Sequence, residues 1–401
     1  MKKQRSYLNL ICLVCLLSVL MAGGCASGES ADASADGTAS SEGISETAAD
    51  SVSDNPEEDA EESGDGDTSS DSYVYFSEGE DSSTGEYAYT ASIFAMDTYM
   101  TVTAYGDSAQ AAVEAAADEI LRLDALLSTG ISTSEVAQVN ANGGGTISEE
   151  TGYLLSRALA LYESTDGAFD IAVYPIMDAW GFTTRDYTVP DAETIAELLT
   201  LTDASLVSYD ADAGTVSFGM DGMQIDLGGI AKGYTSSLIM DLFEENGVES
   251  GLVSLGGNVQ ALNVKPDGSL WRVAVQSPEE DGTFLGILEI EDCAVITSGG
   301  YERYFEEDGA TYHHIIDPET GYPADNGLVS VTIVSDDGTL ADGLSTSLYI
   351  MGPDEAIAYW RANSDAFEAV LETDDGTIYV TEGLADSFTS DYDYVIVTAD
   401  E

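Results

Sequence analysis

Asp342-Gly343-Leu344-Ser345-Thr346 opens an apolar stretch with helical spacing. Residues four apart share one face of a helix, so the Asp342 carboxylate and the Thr346 hydroxyl point the same way. Two oxygens so placed can ligate one hard cation such as magnesium and leave positions for phosphate oxygens and water. The same residues also fit a plainer role. Asp342 would then be an acid favoured by the helix dipole, and Thr346 a hydroxyl bonded to its own backbone.

A second stretch, Asp226-Leu227-Gly228-Gly229-Ile230-Ala231-Lys232-Gly233-Tyr234, reads as a strand end, a glycine turn and a helix start. Glycines let a backbone approach a ligand closely, and a helix N-terminus offers free N–H groups to phosphate. Lys232 lies in this turn, and Lys265 is the only other lysine beyond the N-terminal segment. The alternative is a glycine-rich connection with a solvated lysine.

The only histidines are adjacent, in Tyr312-His313-His314-Ile315-Ile316-Asp317-Pro318, followed by Thr320-Gly321. Neighbours on a strand face opposite ways, so at most one points into a site and a His-His zinc pair is disfavoured. A histidine there suits proton removal from a hydroxyl near neutral pH. A fourth group, Gly167-Ala168-Phe169-Asp170 leading to Asp178-Ala179-Trp180-Gly181-Phe182, has rings and small residues that would wall a planar ligand or simply fill a core.

The elements that must position these groups follow from periodicity. Thr98 to Tyr105 alternates as a strand, and Ser108 caps a helix to about Leu127. Further helices are expected from Ser148 to about Thr165, after Pro190, from Ile230 to Asn246, from about Leu340 to Met351 and from Asp354. Short strands fall at 251–255, 271–276, 285–290, 295–298, 312–316, 329–334, 366–371, 377–380 and 394–397. Strands clustered this way, with helices unevenly among them, predict an α+β fold of mixed and antiparallel sheets flanked by helices.

Composition sets the boundaries. Lys2, Lys3 and Arg5 precede an apolar run, Leu8 to Leu20, which ends in Met21-Ala22-Gly23-Gly24-Cys25. The run is short for a membrane span and reads as a secretory signal, 1–24, with the small residues before Cys25 resembling a bacterial lipobox. Cys25 is then the lipid-bearing residue, and the chain is held at the extracytoplasmic face of the membrane. From 25 to 87 the chain is Ser, Asp, Glu, Gly and Ala, which predicts a disordered acidic tether before a folded domain at 88–401. Cys12 and Cys15 leave with the signal, so only Cys293 remains in the folded part, which excludes an internal disulfide and a thiolate zinc site. With 75 acidic against 11 basic residues and a net charge of −64, nucleic-acid binding is excluded. Such a chain holds a polyphosphate only with a metal, backbone donors or a retained cation.

Taken together, the segments resemble the ApbE family, FAD:protein FMN transferases. The resemblance runs from about Phe94 to the C-terminus. It rests on Phe94-Ala95-Met96-Asp97-Thr98, Phe169-Asp170, Trp180-Gly181-Phe182, Asp226 to Tyr234, Ser254-Leu255-Gly256-Gly257-Asn258, Thr297-Ser298-Gly299, His314 to Pro318 with Thr320-Gly321, and Asp342 to Thr346. It implies one compact ApbE-like domain in which Asp342, Thr346 and the Gly229 carbonyl hold Mg²⁺ against the FAD pyrophosphate. Met96, Ala168, Phe169, Asp170, Asp226, Lys232 and Val329 would line the FAD site, and His314 would help deprotonate the acceptor. Acceptors would be flavin-carrying subunits of redox-driven ion pumps or exported flavoproteins. Two positions depart from the family pattern: Gly130, where an aromatic residue is common, and Gly300, where Asp is frequent. The rival readings are a magnesium-dependent FAD pyrophosphatase, a flavin-binding lipoprotein without turnover, and a surface substrate-binding protein.

Overall fold

The computed structural model describes residues 72–81, 84–278 and 283–400. Strands β1 (Tyr73–Glu80), β2 (Tyr87–Ala95) and β3 (Thr98–Tyr105) form an antiparallel meander. Folded structure therefore begins before residue 88, which corrects the tether boundary. The acid content that argued for a tether hides an aromatic run, Tyr73-Val74-Tyr75-Phe76, whose β propensity decides locally. Tyr73 stacks on Phe94 with ring centres 5.9 Å apart. The signal, Cys25 and the tether up to residue 71 lie outside the described residues.

Strict alternation turns Tyr89, Ala91, Ile93 and Ala95 of β2, and Met100, Val102 and Ala104 of β3, to one face. Helix α1 (Ala109–Leu127) lays Ala112, Val113, Ala116 and Ile120 on that face. Ser108 stands at its N-cap position without a side-chain capping bond, contrary to expectation. Next come α2 (Glu135–Asn142), β4 (Gly144–Thr146), α3 (Glu149–Ser164), α4 (Tyr174–Ala179), α5 (Ala192–Leu198), β5 (Val207–Asp210), β6 (Thr215–Phe218) and α6 (Gly228–Glu245). Ser148 does cap α3, accepting from the Thr151 amide at 3.2 Å.

The remaining strands are β7 (Gly251–Leu255), β8 (Asn258–Leu262), β9 (Trp271–Gln276), β10 (Phe284–Ile290), β11 (Ala294–Gly299), β12 (Tyr304–Glu307), β13 (Ala310–His313) and β14 (Leu328–Ser335). Helices α7 (Gly338–Met351) and α8 (Pro353–Ala362) precede β15 (Glu368–Thr373), β16 (Ile378–Thr381), β17 (Phe388–Thr389) and β18 (Tyr394–Val397). The main sheet has the order β1-β2-β3-β7-β8-β11-β14-β15-β16-β18, antiparallel except for the parallel pair β16–β18. Small sheets β17-β10-β9, β12-β13 and β4-β6-β5 complete an α+β fold, as the clustering of strands predicted.

One core lies between the first strands and α1 with α6, and another between β11, β14, β15 and helices α3, α7 and α8. The β9–β10–β17 sheet covers the opposite face of the main sheet. Among the described residues no helix is long and apolar enough to cross a membrane.

Candidate active site

Glycine lets α6 and α7 touch. A β-carbon on Gly233 would stand 2.1 Å from the Gly338 carbonyl oxygen and 2.6 Å from Asp342 Cβ. That closeness brings a buried Asp342, only 4% exposed, onto the first turns of α6. Its Oδ2 accepts from the Gly233 amide at 2.8 Å, its Oδ1 accepts from Asn258 Nδ2 at 2.9 Å, and Lys232 Nζ stands 4.0 Å from Oδ1. In an α-helix the Gly233 N–H points at the carbonyl four residues back, that of Gly229. The Asp342 carboxylate thus meets the first turns of α6 at this amide.

The hydroxyls of α7 divide by direction. Ser345 and Ser347 bond back to the carbonyls of Asp342 and Gly343, at 2.8 and 2.7 Å. Thr346 instead meets Ser298 Oγ at 3.4 Å, and Ser298 also reaches Ser345 at 2.8 Å. The plainer role considered for Thr346 is therefore taken by its neighbours. Among the described residues no three His, Cys, Asp or Glu side chains gather as a ready-made metal cage. Asp342, Thr346 and the Gly229 carbonyl would offer oxygen alone, the donor type a hard cation takes.

Asp226 and His314 are half-buried and Glu302 is exposed, and Lys232 and Arg303 lie close enough for their charges to act on all three. Burial raises the Asp226 carboxyl, opposed by the Gly228 amide at 2.7 Å and by Arg303 and Lys232. Burial also lifts Glu302 to about 7, with Lys232 pulling it down and Asp342 pushing it up. Burial depresses the His314 imidazole to about 3, helped by the Arg303 charge. Three cations, Lys232, Arg303 and Arg185, thus gather at one end of a strongly acidic chain. Arg303 Nη2 lies 3.1 Å from Asp97, and Arg185 pairs with the other Asp97 oxygen.

The histidines differ as strand geometry required. His313 Nε2 bonds the Ala324 carbonyl at 3.0 Å and its Nδ1 is buried without a partner. His314 Nδ1 bonds the Arg303 carbonyl at 3.2 Å, and its Nε2 has no bond among the described residues. A β-carbon on Gly300 would meet His313 Cδ2 at 2.8 Å and the Tyr349 hydroxyl at 2.9 Å. An Asp at that position would have to displace His313.

Other expected residues take varied places. Met96 is half-buried, with Thr235 Oγ1 3.9 Å from its sulfur. Phe169 is buried beneath the glycine turn, its ring 3.1 Å from where a Gly229 β-carbon would be. Ala168 beside it is half-buried. Asp170 spends both oxygens on backbone amides, those of Ala172 at 2.7 Å and Ala204 at 3.1 Å, and burial lifts it to about 6. It shapes the loop under the site. Val329 is half-buried at an irregularity in the β14–β15 pairing, between Leu328 and Ser330, one residue past the Gly299–Ser330 pair. Trp180 and Phe182 are core, and Trp180 Nε1 donates to the Gly321 carbonyl at 2.9 Å. Gly130 is exposed, and a β-carbon there would make an ordinary contact with Ser128 Oγ at 3.7 Å, while nearby Tyr174 is held by Thr129 and feels the Asp226 charge.

Sequence reasoning gave no role to Asn258, Ser298, Glu302, Arg303 or Asp97. Asn258, Ser298 and Asp97 sat inside quoted motifs; Glu302 and Arg303 carried no spacing signal. A groove of about 440 Å³ further along α6 is lined by Tyr153, Tyr234, Asp241, Asp336 and Asp337. Its acid would repel polyphosphate, so the glycine turn, with Lys232 and Arg303 beside it, is the better seat.

The sequence model of the ApbE family matches residues 96–371. A FAD:protein FMN transferase of Klebsiella pneumoniae (strain 342) is 36% identical over 258 residues, covering 63% of this chain and 79% of the relative. One from Treponema pallidum (strain Nichols) is 33% identical over 319 residues, covering 74% and 88%. The crystal structure of the ApbE protein of Thermotoga maritima MSB8 superposes with a TM-score of 0.70 at 33% identity, covering 74% of this chain and 97% of that one. The flavin transferase ApbE of Vibrio cholerae does so with a TM-score of 0.66 at 26% identity, covering 79% and 99%.

Proposed function

The chain belongs to the ApbE family, and from that premise we propose that it uses magnesium to move FMN from FAD to a Ser or Thr hydroxyl of an acceptor protein, releasing AMP. It is an enzyme, a flavin transferase with FAD as its substrate. The observation that carries the finer reading is the meeting of Asp342 with Gly233 and Lys232, which joins two distant stretches into one phosphate-facing corner.

Each residue then has a task. The turn at Gly228-Gly229, without side chains, lets the pyrophosphate approach the start of α6 closely, and Lys232 supplies a positive charge beside it. Asp342, Thr346 and the Gly229 carbonyl would hold the cation, and magnesium bound there would neutralise pyrophosphate charge. His314 Nε2 takes the acceptor's proton as its oxygen bonds to the FMN-side phosphorus and the bond from that phosphorus to the bridging oxygen breaks. AMP leaves with that oxygen. With its pKa depressed, His314 is unprotonated at working pH, and an anionic substrate beside it strengthens it as a base.

Cys25 carries lipid at the extracytoplasmic membrane face in this reading. Acceptors there are flavin-carrying subunits of redox-driven ion pumps or exported flavoproteins. Mass spectrometry of an acceptor incubated with the protein, FAD and Mg²⁺ should show an FMN-mass adduct. FMN and AMP without adduct, at a rate indifferent to acceptor, would make the protein a pyrophosphatase instead.

A further inference from the structure

We propose that Asp97 is a positioning residue for transfer: it holds Arg303, and Arg303 holds His314 in the one tautomer that leaves Nε2 free. The inference rests on the reading of His314 as the base.

The turn between β2 and β3 is the first observation. Met96 and Asp97 sit at φ 47° and 60°, both left-handed, in a two-residue hairpin closed by the Ala95–Thr98 pair. Such turns favour Asn-Gly or Gly-Gly, because a β-carbon resists this backbone. The hairpin beside it, β7–β8, is closed by Leu255–Asn258 and uses Gly256-Gly257 at φ 63° and 98°. At the same end of one sheet, then, one turn has residues suited to its shape and its neighbour does not. Strain retained in this way points to a task for the side chain.

That task is visible. Asp97 bridges Arg185, from the loop after α4, and Arg303, from the β11–β12 connection. These side chains keep 36% to 55% of their surface exposed, so the pairs add little to stability. Their effect is on position. The Arg303 carbonyl accepts from the His314 main-chain amide at 3.1 Å and faces His314 Nδ1 at 3.2 Å. A carbonyl only accepts, so Nδ1 carries the hydrogen and Nε2 is the basic nitrogen. By the same logic His313, facing the Ala324 carbonyl through Nε2, is the opposite tautomer. Arg303 is therefore gripped at its tip by Asp97 while its main chain orients the base.

Asp97→Gly separates strain from position, because glycine accepts the turn's backbone while deleting the carboxylate. Because the chain has only two histidines, ¹⁵N-histidine labelling reads both imidazoles directly. The unaltered protein should show one Nδ1–H and one Nε2–H ring. Asp97→Gly should keep or raise Tm, leave the KM for FAD within about twofold, lower kcat about tenfold as loss of an outer orienting partner does, and convert the Nδ1–H ring to a tautomer mixture. Asp97→Glu, retaining a carboxylate, should restore part of kcat. Unchanged kcat in Asp97→Gly would overturn the proposal. So would a lowered kcat with the Nδ1–H ring still locked, which removes the link through Arg303. Full transfer by His314→Gln would sink the base assignment itself, a failure the NMR arm keeps distinct from that of the Asp97–His314 link.

Discussion

The Gly233 amide and the Asp342 carboxylate meet at 2.8 Å across a helix pair that leaves no room for a β-carbon at position 233. Gly233→Ala should push α6 from α7, costing about 1–3 kcal/mol in denaturant unfolding, as overpacking does. It should also cut flavin transfer by moving the carboxylate off its amide. Gly79→Ala, in open space with ordinary backbone, should shift stability by less than about 0.5 kcal/mol. Equal effects at both positions would show that the close approach is not decisive.

Asp342→Asn keeps the size of the side chain and one acceptor oxygen for Gly233, and it removes the charge. Transfer should fall by at least about a hundredfold, the scale for a lost electrostatic group in a water-poor site, with the magnesium requirement shifted to higher concentration. Thr346→Ser should keep the oxygen and most activity, whereas Thr346→Val should behave like a weaker Asp342→Asn. Magnesium titrations of the transfer rate distinguish them. An unshifted titration curve in Asp342→Asn would take Asp342 out of the cation site.

What the sequence made legible was local. The strand ending at Tyr105, helix α3 with its Ser148 cap, and the glycine start of α6 all follow from spacing within one segment. Asp342 and Thr346 could be paired because four residues make a helical turn. Arg303 could not be found this way: it reaches Asp97 through sheet topology, over 206 positions. Asp170 was expected to line the FAD site; in the structure both of its oxygens accept from backbone amides, those of Ala172 and Ala204, a local partnership that spacing did not reveal. Strand β1 was missed because acidic neighbours masked four residues with strong strand preference.

Trp180 anchors the aromatic cluster beneath His314, fully buried with Nε1 bonded to the Gly321 carbonyl. Trp180→Phe should leave that carbonyl unpaired and open a void, costing about 2–4 kcal/mol in unfolding experiments. Activity at low temperature should fall less than stability, since no Trp180 atom is assigned to the chemistry. A loss of rate without a loss of stability would place Trp180 nearer the substrate than the packing indicates.

His314 gives the pH prediction, and its sign follows from burial. Its folded-state pKa, about 3, lies below the ordinary 6.5. Above 6.5 the imidazole is neutral in both states and contributes nothing to pH dependence. As pH falls from about 6.5 toward 3 the unfolded chain takes up a proton that the folded one refuses, so stability falls. Glu302 and Asp170 act oppositely: raised to about 7 and about 6, their folded carboxyls take up protons first, which favours the folded state as pH falls. The total profile mixes these trends, so the difference between the protein and His314→Gln is the measurement to make. That difference in denaturant midpoint should be flat above pH 7 and should grow in favour of His314→Gln as pH falls toward 4. In the ¹⁵N spectrum the His314 nitrogens should hold their neutral shifts from pH 8 to 5. A titration centred near 6.5 would mean that water reaches the imidazole freely, and the site would then be more open than the packing around Arg303 and Phe182 allows.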